Sequence, residues 1–228
     1  MNAGNVDFNN LFNPEPKKYF STAEEINEDS DNNSLSFLVK NVRPDSTVLD
    51  VGCSFGYIGA YLAAKKKCIM YGIEINSIAI EHARKNGVYK DIYEINMENA
   101  SAETPSSERF RNSPLFDYIL CGDILEHLCN INEAFFALIN KLKPGGRMLI
   151  SLPNIANFDV VLGILSGRFS YSDFGILDNS HLRFFTKRSF IEWLDSLNRF
   201  SNDWQVDIES YGRTTAESPS TLRLKSEY

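Results

Sequence analysis

The feature that most constrains this chain is a repeated alternation of short apolar strands with helix-patterned segments. "STVLDVG" (46–52), "CIMYGIEI" (68–75), "DIYEI" (91–95), "FDYILCG" (116–122) and "RMLISLP" (147–153) read as strands, rich in β-branched or aliphatic residues and bounded by turn residues. Helical patterns separate them at "YIGAYLAAKKK", "SIAIEHARKNG" and "INEAFFALINKLK", and another covers 33–42 before the first strand. A polar loop fills roughly 99–114. Strands that alternate with helices pair in parallel and need cover on both faces, which predicts a doubly wound α/β domain. Such sheets bind ligands at the carboxyl ends of their strands, so those ends come next.

The turn after the first strand, "LDVGCSFGYIG", carries Gly52 and Gly56, with Cys53 and Ser54 between them. Glycine lets the backbone run close to a ligand, and the following helix offers free N–H groups. Ser54, Gly56 and Gly59 imitate a dinucleotide fingerprint with serine for its first glycine. Asp50 argues against that ligand, because a carboxylate at the strand end would repel a pyrophosphate and suits an ammonium group instead. Glu74, ending the second strand beside Ile75, can accept two ribose hydroxyls. A nucleoside joined to an ammonium-bearing tail is S-adenosylmethionine. Taken singly, Asp50 reads equally as a helix cap and Glu74 as a solvated strand end.

Residues 46–153 resemble a class I S-adenosylmethionine-dependent methyltransferase. "VLDVGCSFG" is similar to that family's first motif, and "GIEI" to its acidic second-strand motif. The resemblance implies S-adenosylmethionine as cofactor, a Rossmann-like, mostly parallel seven-stranded sheet, and a C-terminal antiparallel hairpin from "WQVDIESYG" and "TLRLKSEY". It also implies adenine contacts at Asn96 and Met97 and a methionine moiety lined by backbone near Cys121 and Gly122. "LKPGGRMLISLPN" matches the family's fifth strand and the turn before it. The expected organisation is a flexible or lid-like segment over 1–34 and one methyltransferase domain over 35–228, with a cofactor core at 46–153 and a substrate-lid insert at 154–186.

The insert, ending in "GILDNSHLRFFT", resembles the corresponding segment of bacterial methyltransferases associated with surface-glycan assembly and, more loosely, of methionine-biosynthesis-type methyltransferases. It is expected to face the acceptor, with Tyr171, Arg183 and Phe184 as substrate contacts. An alcohol acceptor needs a base during attack, and histidine is suited to that near neutral pH. His181 is the first candidate, its bland alternative being a histidine that holds the lid through a backbone carbonyl. In "DILEH", Asp123, Glu126 and His127 have the spacing of one helix face. Methyltransferases of quinone precursors carry a similar Glu-x-x-Glu-His that can hold a divalent metal. With aspartate first, the set is incomplete, so no metal is expected and His127 is a second catalytic candidate or a pocket donor. From Thr186, "TKRSFIEWLDSLNRF" reads as an amphipathic helix.

Composition sets outer bounds. At 228 residues, 43% hydrophobic and a formal charge of −7, a globular chain without general affinity for nucleic acid or anionic membrane is expected. Cys53, Cys68, Cys121 and Cys129 show no metal-finger spacing and read as buried free thiols, and the N-terminus lacks a signal-peptide pattern; both point to a reducing cytoplasm. His82 and Lys65–Lys67 read as solvent-facing. The leading function is O-methylation of a sugar or glycan-linked hydroxyl on a nucleotide sugar or lipid-linked sugar. The alternatives are a small aromatic or quinone-like acceptor, with or without a metal, and a non-catalytic regulatory partner that keeps the fold. No membrane insertion is expected, and a homodimer is left open.

Overall fold

A computed structural model describes residues 26–30, 33–199, 205–212 and 220–227. The flexible or lid-like reading of residues 1–34 falls largely outside these. Five strands pair in parallel: β1 (Thr47–Val51), β2 (Ile69–Glu74), β3 (Tyr89–Glu94), β4 (Phe116–Gly122) and β5 (Leu142–Leu152). β6 (Gln205–Gly212) and β7 (Ser220–Glu227) pair antiparallel with each other, and β7 pairs antiparallel with β5. The order across the sheet is β3-β2-β1-β4-β5-β7-β6. The winding reverses between β1 and β4, the place where open α/β sheets take their ligands.

Period-2 alternation sends neighbouring strand residues to opposite faces. Val48, Met70, Tyr118, Leu120 and Leu149 pack under α1 (Ser34–Lys40) and α2 (Tyr57–Lys66). Leu49, Val51, Ile73, Ile119, Cys121 and Ile150 pack under α4 (Pro105–Arg111), α5 (Ile131–Ile139) and α7 (Lys187–Asn198). Ile80 and Ala83 of α3 (Ser77–Lys85) close on Cys53 and Ile92. Helix α7 starts as the sequence predicts: Thr186 Oγ1 accepts from Ser189 N at 3.1 Å, and Ser189 Oγ accepts from Thr186 N at 3.0 Å.

Four expectations need correction. The polar loop over 99–114 contains helix α4, where Thr104 caps a proline-started turn and Phe110 supplies the buried residue. "DILEH" forms only a 3-10 turn over Leu125–His127, with Asp123 outside it at φ 52°, so no helix face joins Asp123 to the other two. Lys66 is not solvated: its Nζ donates to the carbonyls of Val39 (2.6 Å) and Val42 (3.0 Å) and lies 3.3 Å from Glu28, tying α1 to α2. Cys129 is exposed, whereas Cys53, Cys68 and Cys121 are buried.

After β5 the insert carries helix α6 (Phe158–Leu165), which the apolar sequence 158–165 did not announce and which buries none of its residues. Among the described residues, no helix is long and apolar enough to cross a membrane.

Candidate functional site

Asp50 ends β1 almost fully buried, at 2% exposure. Its Oδ2 accepts a 2.9 Å hydrogen bond from the Tyr89 hydroxyl, so it caps no helix through that oxygen. Burial raises the Asp50 carboxyl to about 7, against the pull of the Tyr89 bond, and the nearby Glu74 charge adds to the rise. Tyr89 was not legible as a site residue in the sequence. Only its reach across β2 brings it here, and three glycines clear its path: a Cβ on Gly56, Gly59 or Gly72 would stand 3.0, 2.3 or 3.2 Å from its ring.

Glu74 is no idle strand end. One carboxylate oxygen accepts from Ser54 N (2.8 Å), and the other accepts from Ile75 N (2.8 Å) and Asn76 N (2.9 Å). A carboxylate has about four acceptor positions, so capacity remains for a ribose hydroxyl. Glu74 thus joins the glycine-rich turn to the β2–α3 turn, and Ile75 stands beside it 57% exposed. Ser54 adopts φ 48°, the left-handed region, at the position where the resembled motif has glycine. That conformation costs an L-residue about 1–2 kcal/mol, offset in part by glycine's extra unfolded-state entropy of about 0.5–1 kcal/mol. Ser54→Gly is therefore expected to raise thermal stability slightly, by less than about 1 kcal/mol, in a melting comparison. A lower melting temperature would show that the serine side chain has a compensating partner.

Gly52 (φ 70°) allows close approach as well, since a Cβ there would meet Ile124 Cδ1 at 2.9 Å. Asn96 and Met97, the expected adenine contacts, come just after β3. Asn96 Oδ1 accepts from Glu98 N at 3.0 Å, capping a short 3-10 turn, and Met97 is a core residue at 5% exposure. At the end of β4, Cys121 is fully buried and its thiol is pushed far up by burial. A Cβ on Gly122 would press on Leu38 at 3.1 Å. Asp123 Oδ1 accepts from Ser151 Oγ at 2.8 Å, and burial raises its carboxyl to about 6.

Of the residues expected on the acceptor side, His127 and His181 meet beyond β4. The insert returns to the sheet through Asn154 and Phe185, and the Glu126 carbonyl accepts from both Leu182 N (2.8 Å) and Arg183 N (3.0 Å). This clamp lays "HLR" on "LEH". His127 Nδ1 lies 3.2 Å from the Ser180 carbonyl, and His181 Nδ1 lies 3.0 Å from the Ile176 carbonyl. The two imidazoles meet edge to face at 4.8 Å, and His181 Nε2 is 4.0 Å from Glu126 Oε1. Glu126 is 1% exposed, and burial together with Asp123 and Asp178 holds its carboxyl well above the usual range. Along the insert His181 is buried while Leu182 and Arg183 are exposed, the Arg183 guanidinium donating to the Cys129 carbonyl. Tyr171 and Phe184 form one aromatic group with Phe169, with centroids 5.5–6.4 Å apart. His82 is exposed, as its helix position predicts.

A glycine-lined turn, two carboxylates at successive strand ends and an insert clamped past β4 coincide with a sequence match to the family model "Methyltransferase domain" over residues 43–177, more than half of the chain. The chain belongs to the methyltransferase-domain family. The similar curated proteins include the ubiquinone biosynthesis O-methyltransferase of Rickettsia prowazekii (strain Madrid E), 30% identical over 127 residues, which cover 52% of this chain and 44% of that protein. This methyltransferase-domain chain thus spans under half the length of that relative. In fold it is similar to an S-adenosylmethionine-dependent methyltransferase from Clostridium acetobutylicum ATCC 824, with TM-score 0.59, 15% identity, and 88% and 94% of the two chains covered. It is also similar to magnesium protoporphyrin IX methyltransferase from Synechocystis PCC 6803 with bound SAH, at TM-score 0.57 and 14% identity, covering 84% and 79%.

Proposed function

We propose that the chain transfers a methyl group from S-adenosylmethionine to a hydroxyl oxygen of a small aromatic, quinone-like acceptor. The observation that carries this reading is the placement of the Glu126–His127–His181 group past β4, beside the end of the sheet where Asp50 and Glu74 stand. The cofactor reading rests on family membership and on Asp50 and Glu74 at successive strand ends. The acceptor reading rests on the relatives' name as ubiquinone biosynthesis O-methyltransferases and on the aromatic group of Phe169, Tyr171 and Phe184. A sugar acceptor, the first expectation from the sequence, has only the insert's resemblance behind it. In the reaction the acceptor oxygen attacks the methyl carbon in line with the departing sulfur, the carbon–sulfur bond breaks, and the hydroxyl proton leaves toward the histidine pair. The protein's main task is alignment.

The deciding experiment incubates the full chain with S-adenosylmethionine and two panels, dihydroxybenzoates and nucleotide sugars, read by mass spectrometry. Methylated phenol supports the proposal; methylated sugar with untouched phenols overturns its acceptor.

Asp50 provides a pH test. Its carboxyl titrates at about 7 when folded against an ordinary 3.8, so the folded chain holds a proton that the unfolded chain releases. Stability from this group is therefore greatest below about pH 4 and is lost as pH rises toward about 7. Binding of a cation-bearing cofactor runs the other way, since it needs the ionised form. Calorimetric affinity for S-adenosylmethionine should rise up to about tenfold per pH unit below 7 and then level off, with Asp50→Asn flattening the curve. A flat wild-type curve would remove Asp50 from ammonium recognition.

A further inference from the structure

We propose that Glu126, His127 and His181 form a binding site for a divalent first-row transition cation that fastens the insert to the end of β4. One ligand atom from each residue lies within 4.8 Å of the others. Bonds of about 2.0–2.2 Å to a central ion would draw them together by roughly an ångström.

The chemistry of each donor supports this. Both imidazoles present Nδ1 to a backbone carbonyl, Ser180 for His127 and Ile176 for His181. A carbonyl can only accept, so Nδ1 carries the hydrogen and Nε2 keeps the lone pair in the neutral ring. That is the orientation outer-shell carbonyls impose on metal-binding histidines. Glu126 supplies the independent observation: at 1% exposure, neither carboxylate oxygen has a hydrogen-bond partner. A buried carboxylate without hydrogen bonds calls for a cation. Protonation alone does not settle it, because a neutral acid would need an acceptor, and His181 Nε2 at 4.0 Å is too far.

The donor set differs from the one the sequence suggested. Asp123 drops out, since its carboxylate accepts from Ser151 Oγ at 2.8 Å and its backbone lies outside the 3-10 turn. His181 enters from the insert, so the expectation of no metal, based on an incomplete Asp-x-x-Glu-His, loses its ground. Two imidazole nitrogens and one carboxylate suit zinc, or cobalt in its place, better than magnesium or calcium, which prefer oxygen ligands. With a cation bound, both Nε2 lone pairs would be engaged, so the cation would replace the histidines as the means of losing the acceptor's proton, by acidifying a hydroxyl held at an open coordination position; without it, the histidines keep their lone pairs for the proton. That last role rests on the proposed methyl transfer; the binding itself does not.

The test titrates chelator-stripped full chain with zinc by calorimetry and with cobalt by visible absorption. About one equivalent of zinc should bind, and cobalt should give d–d bands. Glu126→Gln and His181→Ala should each weaken zinc at least tenfold, with folding checked by circular dichroism, while His82→Ala changes nothing. If a variant fails to fold, the wild-type cobalt spectrum still decides, since bands without nitrogen-ligand character overturn the site. No zinc binding, or magnesium binding more tightly than zinc, also overturns it. S-adenosylmethionine binding in the same preparations separates the two proposals: intact cofactor binding without zinc sinks only the cation site.

Discussion

Replacing His181 with asparagine is expected to lower methyl-transfer turnover by about two to four orders of magnitude while leaving S-adenosylmethionine affinity nearly unchanged. His181 is 8% exposed and anchored by Nδ1 to the Ile176 carbonyl. Asparagine keeps a hydrogen-bonding side chain but cannot take a proton or reproduce Nε2, 4.0 Å from Glu126. The bland alternative, a histidine that only holds the insert down, predicts something else: the backbone clamp from Leu182 N and Arg183 N to the Glu126 carbonyl would persist in the variant, and turnover with it. Single-turnover kinetics with calorimetry distinguish the two. Near-normal turnover would leave His181 as structure and move catalysis to His127. Arg183 is a weaker lever, because its guanidinium already donates to the Cys129 carbonyl. Arg183→Ala should raise the acceptor KM with little change in kcat.

Gly59→Ala should destabilise the protein by about 2 kcal/mol, although alanine is the better helix former by about 1 kcal/mol. The added Cβ would stand 2.3 Å from both Cζ and the hydroxyl oxygen of Tyr89. Tyr89 has no room to retreat, since Gly56 and Gly72 already lie against the same ring. Overpacking a closed site costs about 1–3 kcal/mol, and displacing Tyr89 also breaks its bond to Asp50, worth about 1.5–3 kcal/mol while Asp50 is charged. The two losses exceed the gain in helix propensity. For a chain of this size the melting temperature should fall by about 4–8 °C, with weaker cofactor binding following the loss of Asp50's position. An unchanged or raised melting temperature would mean that Tyr89 can swing away.

The sequence on its own settled what depends on local periodicity and local chemistry. The five parallel strands, most of the helices and the Thr186 cap follow from apolar spacing and from residues that satisfy their neighbours' backbone groups. The glycine-rich turn and the two strand-end carboxylates were legible for the same reason, because consecutive residues define them. Helix α4 was missed because its polar serines and arginines outweigh one buried phenylalanine. Helix α6 was missed because its apolar residues meet no core.

Tertiary structure decided everything that depends on residues far apart in the chain. It brought Tyr89 onto Asp50 across 39 positions and dismissed Asp123 from the group whose spacing it shared, through a left-handed backbone and Ser151. It seated His181 against Glu126 and His127 by a two-bond clamp on one carbonyl. Spacing along a chain reports which residues share an element. Which residues share a site depends on where the insert returns to the sheet, and that is set by backbone groups that look alike in any sequence.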